Sequence, residues 1–193
     1  MTHAEATWKT KTALAGSLKT HMTKKPLSKI TVSEIIADCN VNRKTFYYHF
    51  HDIYDLLKWM LEQEAIEIVK GFDLLIDCED AISFVVQYVK DNAHILNCAY
   101  DSIGRDEMKR FFYNDFVAII RHVIDDAEQR NHLTTPPDFK NFLCDFLTEA
   151  TAGVLVNAFQ SKTIPDRAES IRYISVIIES LPDMLRRAGQ MPA

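Results

Sequence analysis

Residues 30–57 read ITVSEIIADCNVNRKTFYYHFHDIYDLL, and the order of start and stop signals within them decides the fold. Thr31-Val32-Ser33-Glu34 has the spacing in which a threonine hydroxyl and a glutamate each satisfy an exposed amide at a helix start. Val32, Ile35, Ile36 and Cys39 then recur at i, i+3, i+4 and i+7, so one side of this helix is buried. Asn40 tolerates a left-handed backbone and Asn42 is a good helix N-cap, which leaves a short turn with Val41 as an apolar plug. In the next helix, residues 43–50, Phe46 and Phe50 fall on one stripe. Lys44 and Tyr48 point nearly the opposite way, with Thr45 and Tyr47 on the flanks. Two short helices at this spacing form a helix-turn-helix, and the outward face of the second is cationic and aromatic.

Outward from this stretch the chain stays helical. Residues 3–23 place Leu14, Leu18 and Met22 on one stripe and end at Lys24-Lys25-Pro26, because proline cannot donate to a helix and disfavours helical angles before it. Asp52 caps a fourth helix carrying Ile53, Leu56, Leu57, Met60 and Leu61, which runs to about residue 70 with Gly71 as its stop. Further helical patterns cover about residues 80–99, 105–130 (as one helix or two), 138–160 and 166–188, with Pro136-Pro137 and Pro165 marking the last two breaks. The expected fold class is all-α: a three-helix helix-turn-helix domain over residues 1–51 and a helical body over 52–193. The last two helices carry Phe142, Leu143, Phe146, Leu147, Val154 and Val156, then Ile171, Ile174, Ile177, Ile178 and Leu181. That surface predicts a two-fold interface in which the pair meets its copy as a four-helix bundle; the alternative is a hairpin buried within one chain.

Charge separates the two parts. Residues 1–50 hold eight Lys or Arg against three acids, +5, while the rest holds 14 against 24, −10. A basic head on an acidic body concentrates attraction for phosphate in one place. With no apolar run of bilayer length and no secretory segment, the expected location is cytoplasmic, without membrane contact. Cys39, Cys78, Cys98 and Cys144 form no C-x-x-C pair, so neither a disulfide framework nor a zinc site is predicted, and Cys39 is assigned to the core. No nucleophile–base pair, glycine-rich phosphate loop or metal motif occurs, and no catalytic residue, metal or cofactor is expected.

Residues 10–60 resemble the DNA-binding domain of the TetR family of bacterial transcriptional regulators. The resemblance rests on ITVSEIIADC, the turn NVN, RKTFYYHF and HDIYDLL in that order and spacing. With Asp52, Leu56 and Trp59 it is most similar to the DhaS-like subgroup, regulators of dihydroxyacetone kinase genes. The resemblance implies a homodimer that dimerises through its last two helices and carries a small-molecule site in its C-terminal domain. It also implies that Arg43, Lys44, Tyr47 and Tyr48 face bases or backbone and that Thr31 and Thr45 touch phosphate. Two positions depart from the family pattern. Asn40 stands where many members have glycine, and Ile53 where many have a phosphate-reaching lysine. Lys24, Lys25, Lys29 and His51 are the candidates to replace that contact.

The expected function is sequence-specific binding of a double-stranded operator through Thr31, Arg43, Lys44, Thr45, Tyr47, Tyr48 and His49. Arginine and lysine suit guanine edges and phosphate, and tyrosine suits phosphate or a thymine methyl. In the body, Tyr88, His94, Cys98, Tyr100, Phe112, His122 and Cys144 are the candidates to line an effector pocket, set against the alternative that they are ordinary core residues. Repression relieved by the effector is the default expectation. Activation controlled by a protein partner, as the DhaS-like subgroup implies, or an interaction module with no small ligand, are the alternatives.

Overall fold

Thr2 opens the first helix by the device the sequence places at Thr31. Its Oγ1 accepts from the Glu5 amide at 3.2 Å, while the Glu5 carboxylate accepts from the Thr2 amide at 2.8 Å. A computed structural model describes residues 2–163 and 165–190, and among them the regular elements are all helical. α1 (His3–Met22) is followed by a 3₁₀ turn (Leu27–Lys29), then α2 (Val32–Asp38) and α3 (Arg43–His49). α4 (Ile53–Leu61) continues through a π turn (Glu62–Ile66) into α5 (Glu67–Lys70), which Gly71 caps. α6 (Cys78–Asp91), α7 (Ala93–Arg130), α8 (Pro137–Ser161) and α9 (Arg167–Ala188) complete the chain.

The structure corrects two expected boundaries. Apolar periodicity carries one helix over residues 80–99, but α6 ends at Asp91. The Asn92 side chain donates to the Tyr88 carbonyl at 3.0 Å, closing a helix end without proline or glycine. α7 then starts at Ala93 and is itself bent at Gly104, whose φ of 80° and ψ of 172° suit glycine alone without strain.

One core runs through both parts of the chain. Leu14, Leu18, Met22, Ile35, Phe46 and Phe50 belong to the same buried cluster as Leu56, Leu57, Met60 and Leu61 of α4 and Met108, Phe112 and Phe159 of the body. α4 is therefore a wall shared by the N-terminal head and the body. Cys39 is half-buried at the edge of this cluster rather than inside it.

In the body α8 lies mainly on α7, while α9 lies on α6 and α7. α8 and α9 turn their remaining apolar side chains outward: Phe142, Phe146 and Val154 from one, Tyr173, Ile174, Val176 and Ile177 from the other are all exposed. The Phe142 and Phe146 rings stack, with centroids 5.9 Å apart. By length and composition alone α8 is apolar enough to cross a membrane. Asp145 and Glu149 interrupt it, and Leu143, Cys144, Ala152, Val156 and Phe159 bury its inner side against the body.

Phe46 is completely buried, so Phe46→Ala leaves a cavity as well as losing transfer free energy, at about 3–5 kcal/mol. Urea titration followed by circular dichroism checks this, and a loss under about 1 kcal/mol contradicts the anchoring role given to Phe46.

Candidate nucleic-acid interface

The turn is built as its residue types require. Thr31 and Glu34 close their reciprocal cap: Thr31 Oγ1 accepts from the Glu34 amide at 3.4 Å and the Glu34 carboxylate accepts from the Thr31 amide at 2.9 Å. Asn40 takes φ 51°, and Val41 donates back to the Ile36 carbonyl at 3.1 Å, which ends α2. Asn42 Oδ1 caps α3 by accepting from the Thr45 amide at 2.8 Å.

α3 has seven residues and is too short to persist alone. Phe46 and Phe50 bury it, and with them inside, Arg43, Lys44, Tyr47 and Tyr48 are forced outward. Tyr47 is 53% and Tyr48 71% exposed, large values for aromatic side chains. Neither Arg43 nor Lys44 has a carboxylate within ion-pair distance among the described residues. Lys11 braces the other side of α3, its ammonium 5.1 Å from the ring centroids of both Phe50 and Trp59.

The remaining DNA-contact candidates are differently placed. The Thr31 hydroxyl donates to Glu34 at 2.9 Å and the Thr45 hydroxyl to Asn42 at 3.1 Å, so in the free protein both protons are engaged. His49 is half-buried, and burial, then Lys11 and His3, push its pKa down, favouring the neutral ring. Among the residues considered as replacements for the fourth-helix lysine, Lys25 is held by Glu34 at 2.6 Å. His51 lies beside Asp52 at the start of α4, where Asp52 accepts from the Asp55 amide and Asp55 from the His51 amide. This helix start is lined by carboxylates that repel phosphate. Lys24 and Lys29 are exposed, without an ion-pair partner among the described residues.

The seven effector candidates do not share one cavity. Tyr88 donates to Glu64 at 3.1 Å, His94 Nε2 lies 2.9 Å from the Met22 carbonyl, and Cys98 Sγ is 3.9 Å from the Lys25 carbonyl, so these three face the seam between head and body. Tyr100 packs at the edge of the main core. Phe112 lies inside it, stacked with Phe116 and tilted against Phe159. Cys144 is buried with its Sγ 3.7 Å from the Val117 carbonyl. His122 alone of the seven lines a described cleft, one of about 420 Å³ between residues 69–75 and α7. A second cleft of about 260 Å³ opens at the bend of α7, between Tyr54, Leu57, Lys58 and Leu61 of α4 and Ile103, Met108 and Phe111. None of the seven effector candidates lines it. Gly104 inside a long helical pattern was the signal that could have found it.

Comparisons with known proteins agree with this geometry. A family described as "Transcriptional regulator C-terminal region", of the TetR type, matches residues 77–180, wholly within the body. The HTH-type dhaKLM operon transcriptional activator DhaS of Lactococcus lactis subsp. lactis (strain IL1403) is 21% identical over 145 residues, covering 75% of this chain and 76% of that protein. The solved structure of a dihydroxyacetone kinase operon activator DhaS has the same fold, with a TM-score of 0.71 at 18% identity, over 92% of this chain and 98% of that one.

The Glu34 carboxyl is held at about 2 instead of 4.5, by Lys25 first and then by the Thr31 amide and hydroxyl. A depressed carboxyl stabilises the fold fully above its unfolded value and loses that contribution as pH falls through the folded one. The difference in thermal midpoint between wild type and Glu34→Gln is therefore greatest near neutrality and narrows from pH 4.5 toward 2. A difference that stays constant across that range contradicts the assigned cap.

Proposed function

Because the chain belongs to the TetR family of transcriptional regulators, we propose that it reads its operator as a homodimer, with Arg43, Lys44, Tyr47 and Tyr48 at the bases and backbone of the major groove. The observation that carries this reading is the anchored, unpaired face of α3: two free cations and two bare tyrosines on a helix whose opposite side is fully buried. Lys24 and Lys29 flank it as phosphate contacts, Thr31 and Thr45 contribute once their present hydrogen bonds rearrange, and the half-buried His49 lies at the edge of the same face. Residues 1–51 are the DNA-binding unit and 52–193 the regulatory one, with α4 as the wall between them. The protein acts in the cytoplasm, where its operator lies, and carries out no catalysis.

The outward stripe on α8 and α9 supports dimerisation, since apolar side chains of this size left on two neighbouring helices are covered most economically by a second copy. The dimer must then hold its α3 helices about 34–36 Å apart to enter successive major grooves. The cleft at the bend of α7 is where a small effector would act, because α4 forms one of its sides and the same helix packs on the head. An effector that favours an altered α4 position releases the operator, in proportion to its preference for that state. Repression relieved in this way is the main reading. Activation is the second, favoured by one observation: the DhaS relative is an operon activator.

Lys44→Ala combined with Tyr48→Ala leaves the fold intact and lowers preference for selected over random DNA by about tenfold or more, as for lost base contacts. Competitive gel-shift titration measures it, and an unchanged preference overturns the assigned face. Val154→Glu combined with Ile177→Glu converts the dimer to monomer in sedimentation experiments. A dimer that persists at micromolar concentration shows that the contact lies elsewhere.

A further inference from the structure

The head is joined to the body by the helical segment that begins with α4, and this segment contains the π turn at Glu62–Ile66. A π turn inserts one residue into the helical repeat, so side chains beyond it are rotated by about 100° from the register an unbroken helix would give. Glu64 sits in the middle of this insertion. Its Oε2 accepts from two donors on opposite sides of the seam, Lys19 Nζ of α1 at 2.7 Å and the Tyr88 hydroxyl of α6 at 3.1 Å. One oxygen thereby connects the supporting helix of the head to the body.

The two arms differ in stiffness. Tyr88 is set in an aromatic row with Phe84, 6.2 Å away and stacked, which in turn meets Phe72 at 6.3 Å. Burial, then the neighbouring Glu64, push the Tyr88 pKa far up, so the hydroxyl keeps its proton and remains a donor. On the head side, Lys19 follows Leu14 and Leu18, whose burial fixes α1 in the core that also holds Phe46. Lys19 and Glu64 are each about one third exposed, and an ion pair this accessible adds little to overall stability. It constrains direction instead, because shortening or releasing it lets α1 swing relative to α6.

We propose that Glu64 is a positioning residue for operator recognition, which ties Lys19 of the head to Tyr88 of the body and so fixes the half-site spacing that the dimer accepts. The proposal rests on the dimeric DNA-reading function above. A swing of the head moves the paired α3 helices along the duplex, and one base-pair step is about 3.4 Å, so a small change in tilt is enough to alter the preferred spacing.

The test uses DNA selected by the full-length wild type from a random-sequence pool, with derivatives in which the distance between half-sites is lengthened or shortened by one or two base pairs. Wild type is expected to lose about tenfold in gel-shift affinity for each altered spacing, on the scale of a mismatched site. Glu64→Ala, Lys19→Met and Tyr88→Phe bind the altered spacings within about threefold of the selected one, with unchanged thermal midpoints. Glu64→Gln keeps an acceptor for both donors and retains most of the discrimination. Tyr88→Phe removes a single hydroxyl from an otherwise intact aromatic row and remains decisive if Glu64→Ala fails to fold. Wild-type discrimination in a folded Tyr88→Phe or Glu64→Ala protein overturns the proposal alone, whereas a wild type that selects no DNA overturns the dimeric DNA-reading premise and the proposal with it.

Discussion

Burial of Phe46 and Phe50 is the contact on which the rest of the molecule depends. A helix of seven residues contributes too few internal hydrogen bonds to offset the entropy of ordering it, so its existence is a tertiary fact. The two rings supply that support, and they do so in a core continuous with α4 and the body. The direction in which Lys44, Tyr47 and Tyr48 point is consequently a property of the whole chain.

Electrostatics divides the labour in the same way. The head has an excess of cations and the body an excess of acids, yet the head's cations are not equivalent. Lys25 is committed to the cap of α2 through Glu34, Lys11 to the aromatic brace under α3, and Lys19 to Glu64. Arg43, Lys44, Lys9, Lys24 and Lys29 have no ion-pair partner among the described residues. The start of α4 carries Ile53 where the family resemblance led one to expect a lysine, and the neighbouring Asp52 and Asp55 carboxylates serve local capping. Four of those five cations, all but Lys9, lie on α3 or on the segment before α2, the segment expected to stand in for the missing lysine. The sequence reading had weighed that shift without being able to separate Lys25 from its neighbours.

The body shows where pattern reading reaches its limit. Aromatic and polar-tipped residues such as Tyr88, His94 and Cys98 have the chemistry of a ligand pocket, and in the folded chain they meet Glu64 and two carbonyls of the head. Their partners are 24, 72 and 73 residues away in sequence, a separation over which no local rule pairs donor with acceptor. Two of the clefts that form are lined by Tyr54, Lys58, Ile103 and Met108, and by Phe72 and Ile119. Their composition is that of ordinary amphipathic helices.

The sequence by itself determined the starts and stops near the turn: the Thr31–Glu34 cap, the left-handed Asn40, the Asn42 and Asp52 caps, the stop at Gly71, and the buried and exposed sides of α3. Each depends on groups within about four residues of one another, where backbone geometry leaves few choices. Tertiary structure alone decided the break at Asn92 and the π turn that presents Glu64 to two helices. It also decided which of the head's cations are without an ion-pair partner among the described residues. Those outcomes are set by contacts between segments far apart in the chain, and such contacts exist only once the core has fixed the helices against one another.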